Sequence, residues 1–324
     1  MPQNAAPGWR LPGETPRRPR PEQWRAGLAA KNRQWRWRFE AALARGLVAL
    51  SRRMGMVRAS ALGGAICRHV GPLLPVSRIG RRNLEIAFPD RTPQWREETL
   101  RDAWENLGRV MLEWPHVADL RRTESGPGWE AAGEENIPPP ETPCIFISAH
   151  LSNWELMQRP AGGSGRRMAG FYRAPDNPLV DELVQSLRGG GDISALFPKG
   201  SRGARMAMKH LGAGHSMGIL VDQKMNEGLA LPFFGQPAMT PTGPAELALR
   251  FGCVVVPCRT QRIGPCRYRV LFEPPLPLPD TGDRAADVRS LALMMNQTLE
   301  RWLREQPGEW LWLHRRFPRE VYRR

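Results

Sequence analysis

The chain has 324 residues, 41% of them hydrophobic and 24% charged, which is enough for a sizeable globular core and too long for a small disulfide scaffold. Forty-seven Lys and Arg residues against 32 Asp and Glu residues leave a formal net charge of +15, which favours anionic partners such as nucleic acid, an acidic membrane surface, phosphorylated lipids or an acidic carrier protein. Its five cysteines, with no CxxC pair, argue against a disulfide framework and against a zinc module.

The first 38 residues are rich in Pro, Arg and Gln and lack a hydrophobic period, which predicts a disordered basic tail over residues 1–38. The alternative is a basic arm at an anionic bilayer, because tryptophans alternate with arginines there. No segment predicts an ordinary transmembrane helix, since arginines interrupt the apolar N-terminal region. The N-terminus also lacks the apolar core of a secretory signal, so we expect the body of the chain on the cytosolic side.

An amphipathic helical pattern runs from Trp37 to Val70. Its apolar positions recur at three- and four-residue spacing: Phe39, Leu43, Leu47 and Leu50. Two interpretations stay open, a helix lying in the plane of a membrane and an ordinary surface helix docked on the core. A second helix is predicted over residues 94–114, and together these segments predict a helical, membrane-proximal part over residues 39–125.

Beyond Pro138–Pro140, short apolar runs alternate with helical segments. This alternation predicts the α/β fold class, as a layered domain with a central, mostly parallel sheet flanked by helices and preceded by the N-terminal amphipathic helices. Residues 126–324 are expected to hold this core, as one domain with the preceding helices. The predicted strands are Cys144–Ser148, Met168–Tyr172, Ile193–Phe197, Met217–Val221, Cys253–Cys258 and Tyr268–Phe272. The predicted helices are Asn153–Arg159, Asn177–Arg188, Arg202–Leu211, Pro244–Phe251 and Asp283–Arg304.

The stretch that is most informative about chemistry is CIFISAHLSNWE, residues 144–155, where a buried strand ends and a turn presents His150. Open α/β sheets bind ligands at the carboxyl ends of their strands, which is where His150 would lie. Glu155, five residues later, can lie beside the imidazole, hold one ring nitrogen as N–H and leave the other to accept a proton.

Each of these residues also has a structural interpretation. Ser152 and Glu155 fit the S-x-x-E pattern of a capping box, and His150 fits a satisfied turn histidine. A metal pair is disfavoured, because an i, i+5 spacing is poor geometry on one helix and no third ligand is evident nearby. The HisX4Glu pattern taken alone is therefore a weak indication of catalysis.

The order and spacing of several further motifs are more specific. They are RRNLEIAFP at Arg81–Pro89, the His150–Glu155 element, YRAPDNPL at Tyr172–Leu179, Val221-Asp222-Gln223, PFFG at Pro232–Gly235 and WLWLHRRF at Trp310–Phe317. With these motifs the chain resembles, from about Ile66 to Phe317, the late acyltransferases of lipid A biosynthesis. These lauroyl and myristoyl transferases belong to the HisX4Asp/Glu acyltransferase superfamily.

The resemblance implies acyl transfer from an acyl carrier protein thioester to a hydroxyl of a lipid A precursor, with no cofactor and no metal. It implies that His150 is the general base and that Glu155 is its orienting partner. It also matches Arg173 and Asp222 to residues of the family's site, which we assign to substrate binding. Relatives often carry a clearer N-terminal membrane helix, and the arginines that break it here imply peripheral or shallow attachment at the cytoplasmic face of the inner membrane.

Positive side chains suggest how an anionic glycolipid acceptor would be recognised. Arg173, Lys199, Arg202 and Arg205 are candidate ligands of its phosphates, since arginine suits bidentate contact. The alternative for Arg202 and Arg205 is the solvated face of a helix. The remaining positive charge suits an acyl carrier protein and a membrane surface.

The sequence leaves two alternatives to this function. The same chemistry on a phosphatidylinositol mannoside or an amino-acid lipid is not separated from lipid A acylation by the sequence. A basic nucleic-acid-binding module lacks any supporting signature, so no nucleic-acid partner is expected. Within the enzyme interpretation, the backbone N–H groups of residues 151–154 are candidate donors to the oxyanion of the tetrahedral intermediate.

Overall fold

The computed structural model describes residues 21–157, 159–162, 165–188 and 193–323. Its helices are α1 (Pro21–Met54), α2 (Met56–Val70), α3 (Ser77–Ala87), α4 (Pro93–Glu113), α5 (Arg159–Gly162), α6 (Pro178–Arg188), α7 (Ser201–Gly212), α8 (Gly243–Phe251) and α9 (Arg284–Glu305). Its strands are β1 (Gly128–Ala132), β2 (Cys144–Ser148), β3 (Met168–Tyr172), β4 (Ile193–Pro198), β5 (Ser216–Leu220), β6 (Leu229–Phe233), β7 (Gln236–Thr240), β8 (Val254–Gly264) and β9 (Arg267–Phe272).

A seven-stranded sheet in the order β1-β9-β8-β2-β5-β3-β4 forms the centre of the molecule. Strands β8, β2, β5, β3 and β4 are parallel to their neighbours in that run, while β9 is antiparallel to β8 and parallel to β1. The predicted fold class, a mostly parallel sheet flanked by helices, is therefore confirmed. Strands β6 and β7 form a separate antiparallel hairpin.

Both faces of the sheet are buried, which explains why its central strands read as continuous apolar runs. Successive side chains of a strand point to opposite faces. In β2, Ile145 and Ile147 accordingly join one apolar cluster, and Cys144 and Phe146 join another. The strand Cys144–Ser148 has no solvent-exposed residue, so the turn that follows it and carries His150 begins at a firmly packed position.

Local sequence signals set several helix ends. The Thr92 hydroxyl accepts a hydrogen bond from the Trp95 N–H, and Pro93 occupies the first helical position of α4. The Asp283 carboxylate accepts from the N–H groups of Ala285 and Ala286 and begins α9 in the same way. These caps fix where the two long helices start.

Helices α2 and α4 approach each other closely at a pair of glycines. A Cβ atom added to Gly63 would lie 2.3 Å from the Gly108 carbonyl oxygen, and one added to Gly108 would lie 2.2 Å from the Gly63 carbonyl oxygen. Neither position has room for a side chain, so the two backbones are in direct contact.

The N-terminal region differs from the prediction. Residues 1–20 lie outside the described residues, but α1 begins at Pro21, so a disordered tail that extends to residue 38 is wrong for residues 21–38. Proline at the first turn followed by Glu, Gln, Arg, Ala, Leu and Lys residues favours a helix, and this local preference explains the difference.

The apolar stripe of α1 faces solvent. Trp35 and Phe39 are 69% and 71% exposed, and Leu43, Leu47 and Leu50 are exposed as well. The opposite side of the helix carries Ala41, which is fully buried. A helix docked on the core through this stripe is therefore wrong, since the stripe has no cover within the described residues. None of the described helices is both long enough and apolar enough to cross a membrane.

Some elements were missed or misplaced by the sequence patterns. Strand β1 and the β6–β7 hairpin are not among the predicted strands, and the hairpin contains two prolines, Pro232 and Pro237, which lack the N–H of a regular strand. The helix predicted over Asn153–Arg159 is only a 3-10 turn, Trp154–Leu156, followed by the short α5.

Candidate active site

His150 lies two residues beyond the end of β2, with its ring next to a carboxylate from the neighbouring strand. Its Nδ1 is 2.9 Å from Oδ1 of Asp222, and its backbone N–H donates to Oδ2 of Asp222 at 3.1 Å. The His150 side chain keeps 18% of its surface exposed, so a substrate can reach the imidazole. A carboxylate on Nδ1 keeps that nitrogen as N–H and leaves Nε2 as the nitrogen that can accept a proton.

Asp222 is held on several sides. It is fully buried beyond the end of β5, which pairs with β2. Its Oδ2 also accepts a hydrogen bond from the Trp310 indole N–H at 2.8 Å, and its backbone carbonyl oxygen lies 3.3 Å from Nε2 of His314. Because both carboxylate oxygens are bound, the side chain is fixed in the orientation that His150 requires.

The electrostatics of the pair favour an ionised carboxylate. Burial raises the pKa of Asp222, but the charge and hydrogen bond of His150 outweigh that effect, so the pKa of Asp222 lies well below its ordinary value. Burial likewise lowers the pKa of His150, but the charge and hydrogen bond of Asp222 outweigh it, so the pKa of His150 lies above its ordinary value. The imidazole is a stronger base than a free histidine.

Glu155 was predicted to orient this ring. The structure gives Nδ1 to Asp222, because β5 adjoins β2 and ends level with the His150 turn. Glu155 lies half-buried in the 3-10 turn, and its charge raises the pKa of His150 by less than Asp222 does. Ser152 does not cap this turn, since the cap position belongs to Asn153. A catalytic role for Glu155 stays a prediction.

Asp222 itself was grouped with the substrate-binding residues. Its complete burial and its contact with the imidazole instead make it a partner of His150. The resemblance identified the residue, but no local pattern could have identified its role, because 72 positions separate the two side chains in the chain.

Four of the candidate site residues follow adjacent parallel strands at the same edge of the sheet. In the spatial order β2-β5-β3-β4, they are His150, Asp222, Arg173 and Lys199. Arg173 and Lys199 are exposed. The charge of Lys199 lowers the pKa of His150, although less than Asp222 raises it, and its Nζ lies 3.4 Å from Oε1 of Gln223. The edge therefore combines a partly exposed base with exposed cations.

Arg202 and Arg205 lie on the exposed side of α7, which begins just after Lys199. This placement agrees both with a phosphate-binding role and with a solvated helix face, so their role in substrate binding stays a prediction. Arg202 is the nearer of the two, in sequence, to the edge that carries His150.

Two of the expected oxyanion donors are already engaged. The Leu151 N–H donates to the Ala149 carbonyl at 2.7 Å, and the Ser152 N–H donates to the Glu309 carbonyl at 2.9 Å. These two N–H groups are therefore not available to an oxyanion in this structure, because the turn folds back on β2 and on the C-terminal segment, and the N–H groups of residues 153 and 154 stay a prediction.

The C-terminal segment completes the site, which sequence reasoning missed. Trp310 is 1% exposed, and its indole N–H donates to Asp222. The Leu311 N–H donates to the His150 carbonyl at 3.2 Å. The signal was present in the motif at Trp310–Phe317, although its contact with residue 150 depends on the tertiary fold.

Comparison with known proteins points to one family. The family model described as bacterial lipid A biosynthesis acyltransferase matches residues 32–319, a span that contains every motif on which the resemblance rested. The chain is 28% identical over 254 residues to the lipid A biosynthesis lauroyltransferase of Escherichia coli strain K12, with 74% of this chain and 78% of that protein covered.

Two further proteins show the range of the similarity. A lipid A biosynthesis acyltransferase of Haemophilus influenzae is 26% identical over 258 residues, with 74% of this chain and 76% of that protein covered. The crystal structure of the 1-acyl-sn-glycerophosphate acyltransferase of Thermotoga maritima aligns with 72% of this chain and 98% of that chain, at 13% identity and a TM-score of 0.32.

Proposed function

Because the chain belongs to the bacterial lipid A biosynthesis acyltransferase family, we propose that it transfers an acyl chain from an acyl carrier protein thioester to a hydroxyl of a lipid A precursor. The observation that carries the proposal is the hydrogen bond between Nδ1 of His150 and the buried carboxylate of Asp222. Family membership also favours an enzyme over the nucleic-acid-binding alternative.

The reaction needs a base, since an alcohol is hardly ionised near pH 7. Nε2 of His150 takes the proton of the acceptor hydroxyl while the oxygen attacks the thioester carbonyl, and Asp222 stabilises the imidazolium that forms. Collapse of the tetrahedral intermediate breaks the C–S bond, and the imidazolium returns its proton to the leaving thiolate. The products are the ester and the free thiol of the carrier, and His150 is neutral again.

The exposed cations support an anionic acceptor and an acidic donor. Arg173 and Lys199 lie along the edge that carries His150, and this position supports the proposal that they bind phosphates of the acceptor head group. The net charge of +15 would speed the approach of an acidic carrier protein, and added salt would weaken that steering.

The membrane contact is assigned to α1. Its exposed apolar stripe lies among six arginines and one glutamate between residues 32 and 54, a combination typical of helices that lie in the interface of an anionic bilayer. We propose peripheral attachment at the cytoplasmic face of the inner membrane, where both substrates would meet.

The test is acyl transfer by the purified chain from an acyl carrier protein thioester to a lipid A precursor, followed by mass spectrometry of the lipid. We expect the mass of one added acyl chain. His150→Ala should lower kcat by about 10²–10⁴-fold, the usual contribution of a general base. The matched control is His69→Ala, which removes an exposed histidine on α2 and should leave kcat unchanged.

Different failures have different meanings. Near-normal kcat for His150→Ala would remove the imidazole from the mechanism. Transfer to a phosphatidylinositol mannoside or an amino-acid lipid, but not to the lipid A precursor, would establish the alternative acceptor. Equal use of acyl-coenzyme A, with no effect of salt on the KM for the carrier protein, would overturn the proposed donor.

A further inference from the structure

A buried ion pair contacts the residues that follow His150. Glu113, the last residue of α4, is fully buried and receives NH1 of Arg262 at Oε1 (2.6 Å) and NH2 of Arg262 at Oε2 (3.1 Å). Burial raises the pKa of Glu113, but the hydrogen bond and charge of Arg262 outweigh that effect, so the pKa lies below its ordinary value. The carboxylate is therefore ionised and fixed by a bidentate arginine contact.

The ion pair holds the His150 turn at two points. Nδ2 of Asn153 donates to Oε2 of Glu113 at 3.1 Å. Seven residues before Glu113, and so on the same face of α4, Asn106 donates to the Ser152 carbonyl at 3.3 Å and to the Glu309 carbonyl at 3.0 Å. NH2 of Arg262 lies 3.4 Å from Oδ1 of Asn106 and so connects the two points.

The turn needs such support because its backbone is strained. Ser152 has a φ of 51°, a left-handed conformation that is unfavourable for a residue with a Cβ. A strained residue persists only where its surroundings determine its conformation, and such residues cluster at functional sites. Ser152 is held through its N–H by Glu309 and through its carbonyl by Asn106.

We infer that Asn106, Glu113 and Arg262 form a clamp (the α4 clamp) that positions His150 by fixing residues 152 and 153. These are positioning residues, since they act on the imidazole through the turn. The inference rests on the proposed function, because general base catalysis requires reacting atoms within about 3–3.5 Å and a displacement of about 1 Å costs about 10²-fold in rate.

The experiment compares two variants that each remove one hydrogen-bond donor from Glu113. Asn153→Ala removes the donor on Oε2 that belongs to the turn, whereas Ser60→Ala removes the donor on Oε1, at 2.6 Å, that belongs to α2. We expect Asn153→Ala to lower kcat by about 10²-fold with the KM of both substrates unchanged. Ser60→Ala should retain wild-type kcat despite a similar fall in melting temperature.

A second readout does not depend on acyl transfer. Carbethoxylation of His150 by diethyl pyrocarbonate, followed by peptide mass spectrometry, reports how accessible Nε2 is, and the accessibility should increase when the turn that carries the imidazole is no longer fixed. The rate should rise severalfold in Asn153→Ala and stay at the wild-type value in Ser60→Ala. This comparison tests the clamp even if the protein proves to have another substrate.

Asn106→Ala provides an independent variant, because it releases the Ser152 carbonyl and leaves the Glu113–Arg262 ion pair in place. It should reproduce the loss of kcat and the faster modification of His150. Equal kcat in the Asn153→Ala and Ser60→Ala variants would overturn the inference. A wild-type modification rate at His150 in both Asn153→Ala and Asn106→Ala would also overturn it, and the ion pair would then have a purely structural role.

Discussion

Asp222 determines which ring nitrogen of His150 carries the proton and how strong a base the ring is. Its carboxylate holds Nδ1 as a donor and raises the pKa of the ring above its ordinary value, against the opposing effect of burial. A general base must be neutral before it takes a proton, so activity should rise with pH through this raised pKa. The acid limb of the pH profile therefore reports the pKa of His150 in its pair with Asp222.

Asp222→Asn should change both the size and the pH dependence of the activity. Loss of the charge lowers the pKa of His150, so the acid limb of kcat/KM should move to lower pH. The maximal kcat should still fall by about 10²-fold or more, because an amide does not hold Nδ1 as a donor or stabilise the imidazolium. The measurement is kcat/KM against pH with the carrier-protein donor.

Glu155→Gln is the matched control for that measurement. Its charge contributes less to the pKa of His150 than that of Asp222, so its acid limb should move less. A larger displacement with Glu155→Gln than with Asp222→Asn would return the orienting role to Glu155.

At the level of elements, Asn177 connects α1 to the loop that follows β3, at the edge of the sheet that carries His150 and Arg173. Its Nδ2 donates to the Trp37 carbonyl and to Oε2 of Glu40, each at 2.9 Å, while its Oδ1 accepts the Leu179 N–H at 3.0 Å and caps α6. One buried side chain therefore ends the loop that begins at Arg173 and fixes α1 to it.

Asn177→Asp should release α1 and leave α6 capped. A carboxylate still accepts the Leu179 N–H, but it cannot donate, and it places a second negative charge beside Glu40. The loss of about 1–3 kcal/mol should make amide hydrogen exchange in residues 35–45 about tenfold faster or more. Hydrogen exchange followed by mass spectrometry measures this. Gln185→Glu, which adds the same charge on the exposed side of α6, should leave exchange in α1 unchanged, and unchanged exchange in Asn177→Asp would contradict the contact.

The elements differ in how well the sequence predicts them. The central strands are predicted closely, because burial on both faces leaves an uninterrupted apolar run such as Cys144–Ser148. The β6–β7 hairpin has no such signal, since Pro232 and Pro237 stand opposite each other in it. A local sequence pattern predicts an element that is defined by burial alone. It does not predict an element that is defined by pairing with another segment.

The residues of the site also differ in how well the sequence predicts them. His150 is predicted from its place between a buried strand and a turn, and Arg173 and Lys199 follow strands that were also predicted. The pairing of His150 with Asp222 depends on β5 lying next to β2, a strand order that no local pattern contains. Glu155 was chosen as partner because it is near in sequence, whereas the fold brings a distant carboxylate closer.

Across the whole molecule, exposed apolar residues gather on the N-terminal helices. Besides the stripe of α1, the side chains of Leu62, Ile66 and Val70 on α2 are exposed at four-residue spacing. Large contiguous apolar surfaces with surrounding arginines are typical of membrane contacts. The exposed surface therefore supports the proposal that the N-terminal helices, and not the sheet edge, contact the bilayer.

Leu43→Glu should weaken binding to vesicles that contain anionic lipid. Removing one leucine from the bilayer and adding a negative charge costs about 1.5–3 kcal/mol, which corresponds to tenfold weaker binding or more. Co-sedimentation with vesicles at low and high salt measures it. Leu278→Glu makes the same change at an exposed leucine outside α1 and should bind as the wild type does. Equal binding by the two variants would exclude α1 as the contact.

The glycine contact between α2 and α4 has a consequence for where the chemistry takes place. Gly108 lies on α4 between Asn106 and Glu113, and its backbone touches that of Gly63 with no room for a side chain. This close contact couples α2 to α4, and the α4 clamp couples α4 to the turn that carries His150, so a stiff connection runs from the outer flank of α2 to the imidazole. On a bilayer, that stiffness would set the height of Nε2 above the lipid surface and thereby the depth at which an acceptor hydroxyl is within reach.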